Sequence, residues 1–173
     1  YAPAVDETPV MKMLEEGALD PLFDGCDRYG IPMAVFCRDG CSAMEPAIRK
    51  HPGMTVIIDH LNWAAPDADR DRKLQELDRM ARYPNVYVKV SSLPKLTKAP
   101  PPYEDLIPLI KRVHAAYGAK RLMWGSDQTQ IMAINNGSYR DNVDIIHAAT
   151  YLSAEDKDWM LNGTASKVFN WPA

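Results

Sequence analysis

Arg121-Leu122-Met123-Trp124-Gly125-Ser126-Asp127 is a short apolar run that stops abruptly at a glycine, a hydroxyl and a carboxylate. Set off by the Tyr117-Gly118 breaker, Arg121 to Trp124 reads as a buried β-strand. Three earlier runs have the same form. Ile31 to Phe36 follows Tyr29-Gly30, Met54 to Ile58 follows His51-Pro52-Gly53, and Asn85 to Val90 follows Tyr83-Pro84. Each is short, rich in apolar or β-branched residues, and opened by Gly or Pro.

The stretches between these runs carry helical periodicity. Asp67 to Arg82 places Leu74, Leu77 and Met80-Ala81 on one face of a charged segment. Tyr103 to Tyr117 repeats the pattern with Leu106, Leu109-Ile110, Val113 and Ala116-Tyr117. Val10 to Tyr29 is helical with interruptions at Gly17 and Asp20-Pro21, and Tyr139 to Tyr151 sets Val143, Ile146, His147 and Thr150 on its apolar side. Ser153, followed by Ala154-Glu155-Asp156, supplies an N-cap and an acidic first turn for a last helix bearing Trp159, Met160 and Leu161. Lys98 to Pro102 is a stiff loop inside the third unit.

Strand and helix in alternation predict an α/β fold on a parallel sheet. Four such units are half of an eight-stranded barrel, which in full takes roughly 250 residues. A half-barrel alone leaves two open edges and an apolar inner face. The preferred reading is a single domain, residues 1–173, that lacks its N-terminal strands. An identical partner covering the open sheet, or an open doubly wound sheet, are the alternatives.

Composition narrows the class. The chain has 173 residues, 46% hydrophobic and 25% charged, with a net charge of −3, so a nucleic-acid partner is not expected. No apolar run reaches the ~20 residues of a membrane helix, and no charged-then-apolar leader opens the chain. The three cysteines, Cys26, Cys37 and Cys41, include one Cys-x3-Cys pair without a second to complete a zinc site. They are expected as free thiols, and the compartment as the cytoplasm. The expected partner is a small-molecule substrate, with a homo-oligomer possible over the open sheet.

In parallel α/β folds the ligand sits at the carboxyl ends of the strands. Those ends read Phe36-Cys37-Arg38-Asp39, Asp59-His60-Leu61-Asn62, Lys89-Val90-Ser91-Ser92 and Gly125-Ser126-Asp127-Gln128. Asp127 at the strand mouth suits a metal ligand or a base that deprotonates water, or else an Asx-turn cap. His60 suits a metal ligand, a proton donor or a carbonyl polariser, or else a structural histidine. Strand parity groups His60 with Val56 and Ile58 and points Asp59 away. Lys89 breaks an apolar run and shares a face with Tyr87 and Ser91, where it reaches a substrate anion or an internal ion pair. Arg38 is a carboxylate clamp or a surface residue. His51, His114 and His147 fall away from the expected mouth.

These pieces together resemble the amidohydrolase-related proteins, the amidohydrolase 2 family of the TIM-barrel metal-dependent hydrolase superfamily. The family includes metal-independent lactonases and metal-dependent decarboxylases related to aminocarboxymuconate-semialdehyde decarboxylase. The resemblance rests on Ile31-Pro32-Met33, on His51-Pro52-Gly53-Met54 leading to Ile58-Asp59-His60-Leu61, and on Pro84 through Ser92. It continues through Arg121 to Asp127 and through Asn162-Gly163-Thr164-Ala165-Ser166-Lys167-Val168-Phe169, in family order.

It implies that the chain supplies the C-terminal half of a distorted (β/α)8 TIM barrel. Asp127 then matches the last-strand aspartate, a base or metal ligand, and His60 a substrate-contacting histidine. Arg38, Lys89 and Ser91 are the expected substrate-binding residues. Three departures shape the reading. The first-strand His-x-His pair is absent, so His60 and Asp127 would hold one divalent metal, Zn or Mn, only with further ligands, and no cofactor is the other expectation. Phe36-Cys37 stands where the decarboxylases end a strand in histidine. Gln128-Thr129 replaces the aromatic residue and proline that commonly follow the aspartate. The implied reaction is hydrolysis of a lactone or similar bond in a small carboxylated metabolite. Metal-dependent decarboxylation, or a non-catalytic half-barrel remnant or dimerisation module, remain the alternatives.

Overall fold

The computed structural model describes residues 8–37, 40–131 and 136–171. Four parallel strands, β1 (Met33–Val35), β2 (Val56–Ile58), β3 (Val86–Ser91) and β4 (Leu122–Gly125), form one sheet in the order β1-β2-β3-β4. That order never reverses. Crossovers between parallel strands are almost always right-handed, so strands laid down in one direction put their connections on one face. A doubly wound sheet needs a reversal of direction. The observed order is that of half a (β/α)8 barrel, with β1 and β4 at its edges.

The register sorts side chains onto two faces. Val35, Ile58, Val88 and Leu122 align across the sheet, and Met33, Val56 and Val86 align below them. With Val90 they face the helices, and all except the edge residues Met33 and Val35 are buried. Ile57, Tyr87, Lys89, Met123, Ser91 and Gly125 occupy the opposite face, the one a closed barrel turns inward. Ile57 and Met123 are buried there yet stand outside the principal core cluster.

Helices α1 (Thr8–Glu15) and α2 (Asp20–Tyr29) precede β1, and α3 (Glu45–Lys50) follows it. After β2 comes α4 (Arg70–Met80), and after β3 comes α5 (Ile107–Tyr117). Past β4 run α6 (Gln128–Ile131), α7 (Tyr139–His147), α8 (Ala154–Asp158) and α9 (Thr164–Phe169). The expected apolar faces of α4 and α5 are the buried ones, whereas α7 exposes His147 and buries Asn142, Ile145 and Ile146. Leu74, Leu77 and Met80 of α4 and Leu109, Ile110 and Val113 of α5 pack into the core. Each such side chain contributes about 1.5–3 kcal/mol through burial.

The breakers act where the sequence places them. Gly17, at φ 71°, divides α1 from α2, and Gly30, at φ 63°, caps α2 in the left-handed conformation. Ser153 caps α8 in a reciprocal box with Asp156, and Ser138 does the same for α7 with Asp141. Helix α8 continues into a π-helical turn, Trp159–Gly163, before α9. A side chain at residue 163 would strike the Trp159 ring at 2.8 Å, so that turn requires glycine.

Some boundaries differ from the sequence reading. Helix α7 ends at His147 instead of Tyr151, and α3 was not expected. Among the described residues Cys26, Cys37 and Cys41 form no disulfide, and burial raises Cys41 far above the ordinary thiol range. Among the described residues no helix is long and apolar enough to cross a membrane.

Candidate active site

The polar residues at the ends of β2, β3 and β4 meet above the inward face. Beyond Ile58 the chain leaves the extended conformation for a turn, Asp59–Trp63. His60, Leu61, Asn62 and Trp63 all have positive φ, between 51° and 55°. Such backbone costs an L-residue roughly 1–2 kcal/mol, so surrounding contacts must hold it. Buried Asn62 supplies some, donating from Nδ2 to Lys73 O at 3.0 Å and towards Glu76 Oε2 at 3.4 Å. Lys73 Nζ donates to Trp63 O at 3.3 Å. Helix α4 thus clamps the turn that carries His60.

The turn overturns the parity expectation for Asp59 and His60. Both side chains reach β3, because strand alternation stops at Ile58. Lys89 Nζ lies 2.5 Å from Asp59 Oδ1, and His60 Nδ1 lies 2.8 Å from Ser91 Oγ. Of the two readings of Lys89, the internal ion pair is the one the geometry displays. Ser91 Oγ, expected at the substrate, is engaged by His60.

Aromatic rings wall the histidine. Phe36 meets its edge at 5.2 Å and Trp63 at 6.0 Å between centroids. Burial lowers the His60 proton affinity below the ordinary imidazole value. The charges of Asp59 and Asp127 oppose that shift, while Lys89 and Lys95 add to it. The charge of Asp127 therefore acts on His60 although the two residues come from different strands.

Asp127 stands where β4 turns into α6, at φ 50°. Its Oδ2 accepts a short hydrogen bond from Ser92 Oγ. Ser92 is itself fully buried and left-handed, at φ 58°, so β3 ends by turning successive serines to two different partners. The backbone before Asp127 is held from α7, where buried Asn142 donates from Nδ2 to Ser126 O at 2.8 Å. Gly125 lies under Ser91 and Lys89, where a Cβ would make ordinary contact at 3.4 Å with Ser91 Cβ and 3.5 Å with Lys89 Cδ.

Asp127, His60, Lys89 and Ser91 are thus brought together, whereas Arg38 lies outside the described residues. Sequence reasoning missed Ser92 and Asn142. A buried asparagine on the inner side of α7 was the available signal for the second. The described residues alone do not make up a metal site. His60 and Asp127 offer two donors, Asp59 is committed to Lys89, and no group of three His, Cys, Asp or Glu suited to an ion occurs among the described residues.

A family model described as amidohydrolase matches residues 4–171. The chain belongs to the amidohydrolase family. The chain is 34% identical over 119 residues to an L-fucono-1,5-lactonase of Burkholderia ambifaria, a match covering 66% of this chain and 40% of the relative. A Burkholderia multivorans amidohydrolase structure with bound HEPES superposes with a TM-score of 0.79 at 21% identity, covering 96% of this chain and 62% of that one. A Pseudomonas putida structure, provisionally named a 2-pyrone-4,6-dicarboxylic acid hydrolase, gives a TM-score of 0.72 at 25% identity, covering 89% of this chain and 57% of its own. The chain therefore spans less than two thirds of the length of these relatives.

Proposed function

We propose that this amidohydrolase takes part in hydrolysis of a lactone in a small, polar metabolite. The observation that carries the reading is the shared support of Asp127 and His60 by adjacent serines at the end of β3. Asp127 removes a proton from water, and the resulting oxygen attacks the ester carbonyl. His60 polarises that carbonyl or protonates the ring oxygen as the C–O bond breaks, giving the hydroxy acid. Support comes from two relatives whose names each denote opening of a cyclic ester.

In this reading Lys89 exchanges its ion pair with Asp59 for a substrate carboxylate, and Arg38 is proposed as a second carboxylate-binding residue. The decarboxylase alternative has less support, because Phe36 follows β1 where that chemistry places a histidine. The open edges at β1 and β4 are covered, in this reading, by further strands of the barrel or by a second copy.

Replacement of Asp127 by Asn tests the assignment in the intact protein. Opening of a sugar 1,5-lactone or of a 2-pyrone dicarboxylate is followed by acid release. A loss of about 10²–10⁴-fold in turnover is expected for removal of a general base. Unchanged turnover overturns the reading.

A further inference from the structure

Ser91 has no step of its own in the proposed reaction. Its side chain is 1% exposed, on the inward face between Lys89 and the floor formed by Gly125. A hydroxyl so enclosed is badly placed to meet substrate. It is well placed to hold the imidazole, whose Nδ1 lies 2.8 Å away. Among the described residues, His60 Nδ1 is the hydrogen-bond partner that Ser91 Oγ has. A buried O–H left without an acceptor costs about 1–3 kcal/mol, so the hydroxyl donates. If Nδ1 accepts, the proton of the neutral ring resides on Nε2.

We propose that Ser91 is a positioning residue that locks His60 in the tautomer protonated at Nε2, presenting an N–H donor to the substrate carbonyl. The catalytic consequence rests on the lactone-hydrolysis reading; the tautomer does not. Phe36 and Trp63, which pack on each other at 5.5 Å and both meet the ring, restrict its rotation, so the single hydrogen bond from Ser91 suffices to choose the nitrogen. A purely space-filling Ser91 would leave both tautomers populated.

The test uses the chain labelled with ¹⁵N-histidine and long-range ¹H–¹⁵N correlation at neutral pH. The His60 signals are assigned by their loss in His60→Gln. One tautomer, protonated at Nε2, is expected in the unsubstituted protein, and a mixture in Ser91→Ala. Ser91→Thr keeps the hydroxyl on an extended strand and should restore the single tautomer. On a lactone substrate, Ser91→Ala should lower kcat about tenfold with little change in KM, short of the 10²–10⁴-fold carried by a base. Protonation at Nδ1 in the unsubstituted protein, or an unaltered tautomer in Ser91→Ala, overturns the proposal. If Ser91→Ala fails to fold, the unsubstituted protein and Ser91→Thr still decide. The NMR readout needs no turnover, so failure of the hydrolase reading is seen separately.

Discussion

Replacing Lys89 by methionine separates two uses of that side chain. Its ammonium lies 2.5 Å from Asp59, and the two side chains are 28% and 17% exposed. Methionine preserves the apolar stem beside Gly125 and removes only the charge. Breaking a fully buried pair costs about 3–5 kcal/mol, and an exposed pair contributes about 0–1 kcal/mol. With both partners less than a third exposed, Lys89→Met should lose about 2 kcal/mol, or roughly 4–8 °C in Tm for a chain of this size. Urea unfolding followed by tryptophan fluorescence gives the number, with Asp59→Asn and the double variant completing a cycle. The coupling should be about 1–2 kcal/mol, since the two groups touch. A loss below about 0.5 kcal/mol with no coupling refutes the ion pair as the resting partner of Lys89 and leaves the ammonium free for substrate.

Other outcomes follow from the same geometry. Arg121 donates to Tyr117 O, Ala81 O and Tyr83 O, at 3.1, 2.9 and 2.9 Å, tying the start of β4 to α4 and α5. Arg121→Ala should cost about 3 kcal/mol in urea unfolding, and a loss under 1 kcal/mol would contradict those bonds. Burial holds the His60 imidazole below its ordinary value, so the unfolded chain binds that proton more readily. The contribution of neutral His60 to stability is present above the ordinary value of about 6.5 and is lost as pH falls from there through the lower folded value. Unfolding free energy should therefore fall more steeply on acidification in the unsubstituted protein than in His60→Gln. Parallel slopes would disprove it.

Where local physics decides, the sequence was legible. Short apolar runs after Gly or Pro became β1 to β4, and the apolar spacing of Leu74, Leu77 and Met80 became the buried side of α4. Ser153 and Asp156 formed their box because both partners lie within one turn. Helix α3 escaped because six residues carry too little periodicity to read. The turn at His60 escaped for a different reason. Of the residues at positive φ there, Leu61 and Trp63 do not favour it, and the support for the turn arrives from α4. Asp127 and His60 were singled out because strand ends are where such folds place chemistry. Their anchoring could not be found in the same way, since Ser92 and Asp127 are 35 residues apart and meet only through the pairing of β3 with β4.

The left-handed turn sets two demands on residue 60 against each other. Backbone at φ 51° suits glycine or asparagine, whereas the proposed chemistry asks for an imidazole there. Selection for heat resistance alone would draw position 60 away from histidine, and selection for turnover would draw it back. Changes confined to Asn62 or Lys73 would shift the balance between the two, because the clamp on α4 offsets what the backbone loses. Robustness and the proposed reactivity are thus set against each other within one left-handed turn.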